Sequence, residues 1–333
     1  LPGGVRVVFT VRERYYLLAY PRLSANLDGQ TSYGGEVDWT NMFGLNYGLE
    51  AKVSASDRRE ANRGRETDYT LGFSAPFIFD SRYSLSLELS HNLSPVQDTV
   101  SYDETFDSAQ AVVTRKLSGD GPASQGWMAG AGLLWQNENR AGPGVPQAYG
   151  ESTAPLLQAS YYDIRDRIFS AEGVAYGARI AGARRGLASE YNYSTLTLNY
   201  RRLMAVGQTE HQDINVYGYA GVYFDGPPEV HNFALGGSSA LRAYNANFIE
   251  GNAYYLLRGE YLRPLGWPWL RGALILEAGN TFENARAFTL NRVYTSLGAA
   301  LRVRLPLFVN LQLEVGYAVP LQGGGGRFFG GRV

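Results

Sequence analysis

One arginine and two glutamates stand out by type and spacing. Arg242 lies in Leu235-Gly-Gly-Ser-Ser-Ala-Leu-Arg-Ala-Tyr244, Glu260 in Gly251-Asn-Ala-Tyr-Tyr-Leu-Leu-Arg-Gly-Glu-Tyr-Leu-Arg-Pro264, and Glu277 in Leu276-Glu-Ala-Gly-Asn280. A guanidinium shared by two carboxylates in a confined space makes charge-assisted, bidentate bonds that a lysine cannot reproduce. Gly236 and Gly237 would let the intervening chain turn back sharply. Such a set fixes a loop; it does not turn over a substrate. The three histidines add little, with His91 and His211 at expected strand ends and His231 in a long loop. No nucleophile elbow, phosphate loop or paired-histidine ligand motif is present. Asp103 with Glu104, and Asp163 with Asp166, fall at expected strand ends and read as solvated charge. The absence of cysteine removes thiolate catalysis, disulfides and Cys-ligated zinc. Neither enzyme, cofactor nor metal centre is expected, and a net charge of -1 gives no nucleic-acid footprint.

The elements that must position these residues are strands. In Tyr83-Ser-Leu-Ser-Leu-Glu-Leu-Ser90, Tyr83, Leu85, Leu87 and Leu89 share one face and Ser84, Ser86, Glu88 and Ser90 the other. Leu297, Leu301, Leu311 and Leu313 follow the same alternation near the C-terminus and are expected to face lipid with them. Strands are expected at residues 14–25, 31–40, 44–57, 66–77, 81–93, 104–118, 123–136, 152–164, 168–180, 191–204, 212–223, 252–262, 270–280, 292–305, 309–319 and 327–333. Apolar stretches are too short and glycine-broken for a spanning helix. A chain that crosses lipid without helices must close its strands, since no backbone group can stay unpaired there. The expected fold is therefore all-β: a sixteen-stranded antiparallel transmembrane β-barrel with an inward-folded long loop. Links alternate between tight (79–81, 163–166, 264–269) and long (137–152, 225–251, 281–292), and aromatic pairs gather toward strand ends. On strand 252–262 Glu260 faces opposite Leu257 and Tyr261. On strand 270–280 Glu277 faces opposite Leu274 and Leu276. Both carboxylates should thus point into the lumen, within reach of an arginine on the loop tip.

With these motifs the sequence resembles the BamA/TamA superfamily of outer-membrane assembly factors and two-partner-secretion transporters. That family carries V-R-G-[FY] on an inward-folded sixth loop, a glutamate on the twelfth strand before a Pro-ending turn, and D-x-G on the thirteenth. The matching positions are Leu241-Arg242-Ala243-Tyr244, Glu260 and Glu277-Ala-Gly279. Ala243 replaces the family's glycine and would resist a positive φ, and Glu277 replaces aspartate. The stretch Leu17 to Tyr47, with Asn41-Met-Phe-Gly-Leu45, resembles the family's first hairpin. Residues 1–13, with Val5-Arg-Val-Val-Phe-Thr-Val11, resemble the end of a preceding periplasmic POTRA-like module or a lead-in strand, and residues 14–333 the barrel.

The resemblance implies an insertase or translocase of the bacterial outer membrane. Its partners would be outer-membrane lipid and lipopolysaccharide, an unfolded client β-barrel or secreted protein, and periplasmic or lipoprotein accessory subunits. The weakest closure is expected between Tyr16, Leu18 and Leu23 on the first strand and Arg327, Phe329 and Val333 on the last. The last strand follows Gly323-Gly-Gly-Gly326 and contains Gly330-Gly331, so it has few side chains to fix its register. The alternative function is a general or gated porin-like channel, whose eyelet would set several arginines opposite several acids.

Overall fold

In the computed structural model, residues 16–25, 31–57, 65–78, 82–97, 101–118, 125–142, 145, 150–226, 233–237, 240–245, 247–305, 311–323 and 325–332 are described. The expected lead-in segment at residues 1–13, His231 and Val333 lie outside these residues. Sixteen strands form one antiparallel sheet: β1 (Leu17–Ala25), β2 (Thr31–Met42), β3 (Tyr47–Asp57), β4 (Arg65–Ala75), β5 (Tyr83–Gln97), β6 (Ser101–Lys116), β7 (Gly126–Ala141), β8 (Gly150–Asp166), β9 (Ala171–Ala183), β10 (Tyr193–Ala205), β11 (Asp213–Asp225), β14 (Ala253–Pro264), β15 (Leu270–Phe282), β16 (Tyr294–Arg304), β17 (Gln312–Pro320) and β18 (Arg327–Arg332). Each pairs with its neighbour in chain order, as hairpin connections require. Two short strands in the long loop, β12 (Phe233–Leu235) and β13 (Ile249–Gly251), pair only with each other. At the two ends of the sheet, β1 and β18 come within 8 Å between Cα atoms, so the wall comes round on itself as a barrel. No helix among the described residues is long and apolar enough to cross a membrane; the strands do so.

The alternation of side chains sets the two faces. Leu87, Leu89, Leu297, Leu301 and Leu313 are exposed on the outer surface, while Ser296, Arg302, Glu314, Glu260 and Glu277 are buried on the inner one. Leu311 departs from the expectation: it is buried. It lies just before β17, where the Leu305 N–H still donates to its carbonyl, and its side chain is buried although its place in the alternation is outward.

β5 to β8 are longer than the polarity of their ends suggests. The expected long link at 137–152 is strand at both its ends, since β7 runs to Ala141 and β8 begins at Gly150, with Asn137 opposite Glu151 and Gln136 opposite Ser152. Asp163 and Asp166 belong to β8 rather than to a turn, opposite Val174 and Ala171, and the tight turn follows, with Arg167 N–H donating to the Ser170 carbonyl. His91 sits well inside β5, its ring 2.6 Å from the Asp107 carboxylate. Backbone ladders continue through polar side chains because backbone groups still need partners.

The apolar core lies inside the barrel. Leu241, Ala243 and Tyr244 of the long loop pack with Leu256, Ile275 and Phe329 of the wall. A second cluster, around Val112, Leu156, Tyr191 and Tyr193, fills the inner face of β6 to β10. A chain of ring contacts carries this cluster to the loop, edge-on from Tyr193 to Tyr223, stacked from Tyr223 to Phe233 on β12, and tilted from Phe233 to Tyr254 on β14.

Candidate functional site

The long loop between β11 and β14 enters the lumen through its own hairpin. Where β12 ends, Gly236 and Gly237 take φ values of +128° and +98°. A Cβ on Gly236 would lie 2.0 Å from the Asn245 carbonyl oxygen, so only glycine fits this return. Gly237 N–H then donates to the Tyr244 carbonyl, and Tyr244 N–H to that of Leu241, closing a tight turn with Arg242 at its tip. The left-handed residue in the turn is Leu241, at φ +49°, and Ala243 does not adopt a positive φ. The methyl that replaces the expected glycine is therefore accommodated, buried against the wall.

Ladder register determines what Arg242 meets. Arg258 stands opposite Glu277, Glu277 opposite Ser296, and Arg302 opposite Glu314, all on the inner face. Glu260 follows Arg258 by two residues and so shares that face. Arg242 donates through its backbone N–H to Glu277 Oε2 at 2.7 Å and through its guanidinium to Glu277 Oε1 at 2.8 Å. Arg258 Nε donates to the same Oε1 at 2.9 Å, and Ser296 Oγ to Oε2 at 2.9 Å. Glu260 is held mainly by Arg302 in a two-pronged pair of 2.8 and 2.9 Å, and comes only to 3.9 Å from Arg242. Glu314 completes the set, bonded to Arg302 and 3.5 Å from Arg242. Three guanidinium groups thus face three carboxylates in a buried network.

The expected pairing of Arg242 with two carboxylates is therefore shared differently: Glu277 receives it directly, while Glu260 and Glu314 stand at longer range. Arg302, Glu314 and Ser296 were not singled out from the sequence. Their signal was present, because the alternation of residues 292–305 and 309–319 already turned Arg302 and Glu314 inward.

Tyr244 anchors the other side of the tip. Its hydroxyl lies 2.8 Å from Gln322 Oε1 and 3.2 Å from the Thr295 carbonyl, and its ring stacks on Phe248. Gly279 gives room for the loop hairpin: a Cβ there would lie 2.7 Å from the Tyr255 carbonyl and 3.2 Å from Leu235 Cδ1. The described residues contain no group of His, Asp or Glu that could hold a metal ion.

Of the expected seam residues, Leu18 and Leu23 fall on β1, with Tyr16 just before it, and Arg327 and Phe329 fall on β18. Thr40 N–H donates to the Tyr16 carbonyl, so Tyr16 is a hydrogen-bonded residue facing β2. In an antiparallel pair such residues alternate. The backbone groups of Leu18 and Tyr20 therefore also face β2, while those of Leu17, Ala19, Pro21 and Leu23 face the other edge, toward β18. Proline has no N–H, so that edge lacks one donor at Pro21. On β18, Phe329 is buried inside the barrel with Arg327 on the same face, and Phe328 is exposed outside.

The Omp85 superfamily domain model matches residues 41–327. The fold is similar to that of BamA from Haemophilus ducreyi lacking POTRA domains 1-3, with a TM-score of 0.67 at 15% identity over 95% of this chain and 70% of that one. It is similar to CdiB from Acinetobacter baumannii, with a TM-score of 0.65 at 13% identity over 94% and 58%. CdiB from Escherichia coli gives 0.68 at 14% identity over 96% and 63%. The chain thus spans less than two thirds of the length of the two CdiB structures. No curated protein matches the sequence. The inward-folded loop, the sixteen-stranded wall and the family match agree: the chain belongs to the Omp85 superfamily, barrel proteins of the bacterial outer membrane.

Proposed function

We propose that this barrel inserts or passes client β-strands of outer-membrane or secreted proteins at the junction of β1 and β18, without catalysis. In this reading the Arg242 loop acts as a lock on the wall beside the junction, from β14 to β18. The observation that carries the reading is the weakness of that junction. β18 carries Gly330 and Gly331, which leave few side chains to fix its register, and the edge of β1 that faces it is interrupted at Pro21. The least stable pair in a closed wall is where an unpaired strand can add by backbone hydrogen bonding. Outer-membrane lipid and lipopolysaccharide would surround the site, and periplasmic or lipoprotein subunits would deliver the client.

The chain has no cysteine, so single disulfides can be placed across the junction. Cysteines at Leu17 and Phe328 test the outer face, with Ala19 and Gly330 on the same face as alternatives that cover the neighbouring registers. In liposomes, client insertion lost on oxidation and recovered on reduction supports the reading. Full activity with the cross-link formed overturns it.

A further inference from the structure

The tip of the long loop is bound to the last hairpin as well as to the wall, at two separate places. The Arg242 guanidinium lies over the Phe329 ring of β18, 5.2 Å from its centroid, with Glu314 of β17 3.5 Å away. Tyr244 meets Gln322 in the link between β17 and β18, and Gln322 donates in turn to the Val293 carbonyl and to Thr295 Oγ1. The Phe329 ring can reach Arg242 because Gly316, its ladder partner, leaves the space open: a Cβ there would lie 2.5 Å from the ring. A desolvated cation over an aromatic face is attracted by the ring quadrupole. β18 pairs with β17 through a ladder that includes Gly330 and Gly331, so contacts made by the Phe329 ring add to its hold on the wall.

We infer that the loop tip and β18 form one linked unit, in which withdrawal of Arg242 loosens β18 and release of β18 loosens Arg242. This regulates the junction proposed above and rests on that reading only for its effect on clients; the linkage itself is a property of the barrel. Coupling between two sites is reciprocal, so each can be perturbed and the other read.

The tip is read by the labelling rate of Asn245→Cys, an exposed position, and β18 by amide exchange over residues 327–332, both in the folded full chain. Arg242→Ala should speed exchange in β18 about tenfold, and Phe329→Leu should speed tip labelling by a similar factor, within the usual range of coupling. Phe329→Tyr, which keeps the ring face, should restore slow labelling, and Phe328→Leu on the outer surface should leave it unchanged. A merely structural role for Phe329 would loosen β18 without altering the tip. The oxidised Leu17–Phe328 cross-link, which needs no lumenal substitution, should slow tip labelling. Unchanged labelling in Phe329→Leu and in the cross-linked barrel overturns the linkage. If the cross-link stops client insertion yet leaves the tip unaffected, the linkage falls and the proposed function stands. If it slows the tip while clients still insert, the reverse holds.

Discussion

Arg258 and Glu277 stand directly opposite each other across the β14–β15 ladder, with Nε 2.9 Å from Oε1, so the carboxylate that receives Arg242 is already oriented by the wall. Ser296 holds its second oxygen from β16. The loop therefore docks onto a preformed acceptor, and little side-chain freedom is lost when Arg242 arrives.

Removing that acceptor should free the loop. Glu277→Gln takes the shared acceptor from two guanidinium groups, Arg242 and Arg258, and removing one side of a buried pair costs about 3–5 kcal/mol when no water replaces it; Arg242→Ala should cost less, because Arg258 and Ser296 still hold Glu277. Both variants should expose residues 226–252 to protease while the barrel remains folded. Arg242→Lys should resemble Arg242→Ala, because a single ammonium cannot serve Glu277 and the Glu314 side together. Glu260→Gln should lower thermal stability with less loop cleavage, since its main partner is Arg302. Equal cleavage in Glu260→Gln and Glu277→Gln would contradict this division.

A second route to the same loop leaves every charge in place. Gly279→Ala sets a methyl against the Tyr255 carbonyl and Leu235, which must shift at a cost of about 1–3 kcal/mol. Loop protection should fall, and Leu235→Ala should partly restore it by vacating the space. Unaltered protease resistance in Gly279→Ala would show that the hairpin is not seated as described.

The strands were legible because lipid on one side and charge on the other enforce a strict period of two. Most of their boundaries lie within a few residues of those observed. The C-terminal end of β7 was not, because Asn137 and Glu138 look like loop residues while their backbones stay paired with β8. Leu311 misled as well: it continues the apolar alternation of β17, yet its side chain is buried at the strand's start. At the site, the motif pointed to Arg242, Glu260 and Glu277. It could not say that Arg302 would take Glu260, since that choice depends on the relative height of β14 and β16, which only register fixes.

The face assignment can be checked on β5. Leu87→Arg places a charge in lipid and should cost about 2–4 kcal/mol at mid-membrane depth. Ser86→Arg points inward, next to a row in which Asp38, Glu50 and Glu88 align across β2 to β5 through Gly72. It should be tolerated. Refolding yield in detergent and in lipid vesicles distinguishes them, and the reverse order would invert the two faces.

The same acidic row borders a hollow of about 260 Å³ and gives the porin-like alternative its one specific support. With the loop seated, planar-bilayer recordings should show a mostly closed, flickering trace. A steady, large, cation-selective open state in the parent protein would favour the channel, and Glu88→Gln would then reduce that selectivity. Arg242→Ala should lengthen openings if the loop obstructs the lumen.

The last prediction concerns Pro21, which alone among the residues of β1 has no N–H to donate to its neighbour. Pro21→Ala would add one N–H to the edge that faces β18, and a hydrogen bond there is worth about 0.5–1.5 kcal/mol net. The junction should tighten, amide exchange over residues 327–332 should slow, and client insertion should slow with it. Ala19→Pro removes a second donor from the same edge and should act in the opposite direction. Leu18→Pro differs in kind, because its N–H faces β2, so it should break the β1–β2 ladder and lower barrel stability as a whole. The three variants separate the two edges of one strand by sign. If Pro21→Ala left exchange and insertion unchanged while Leu18→Pro was harmless, the edges would be interchanged, and the weak donor would lie inside the wall rather than at its seam.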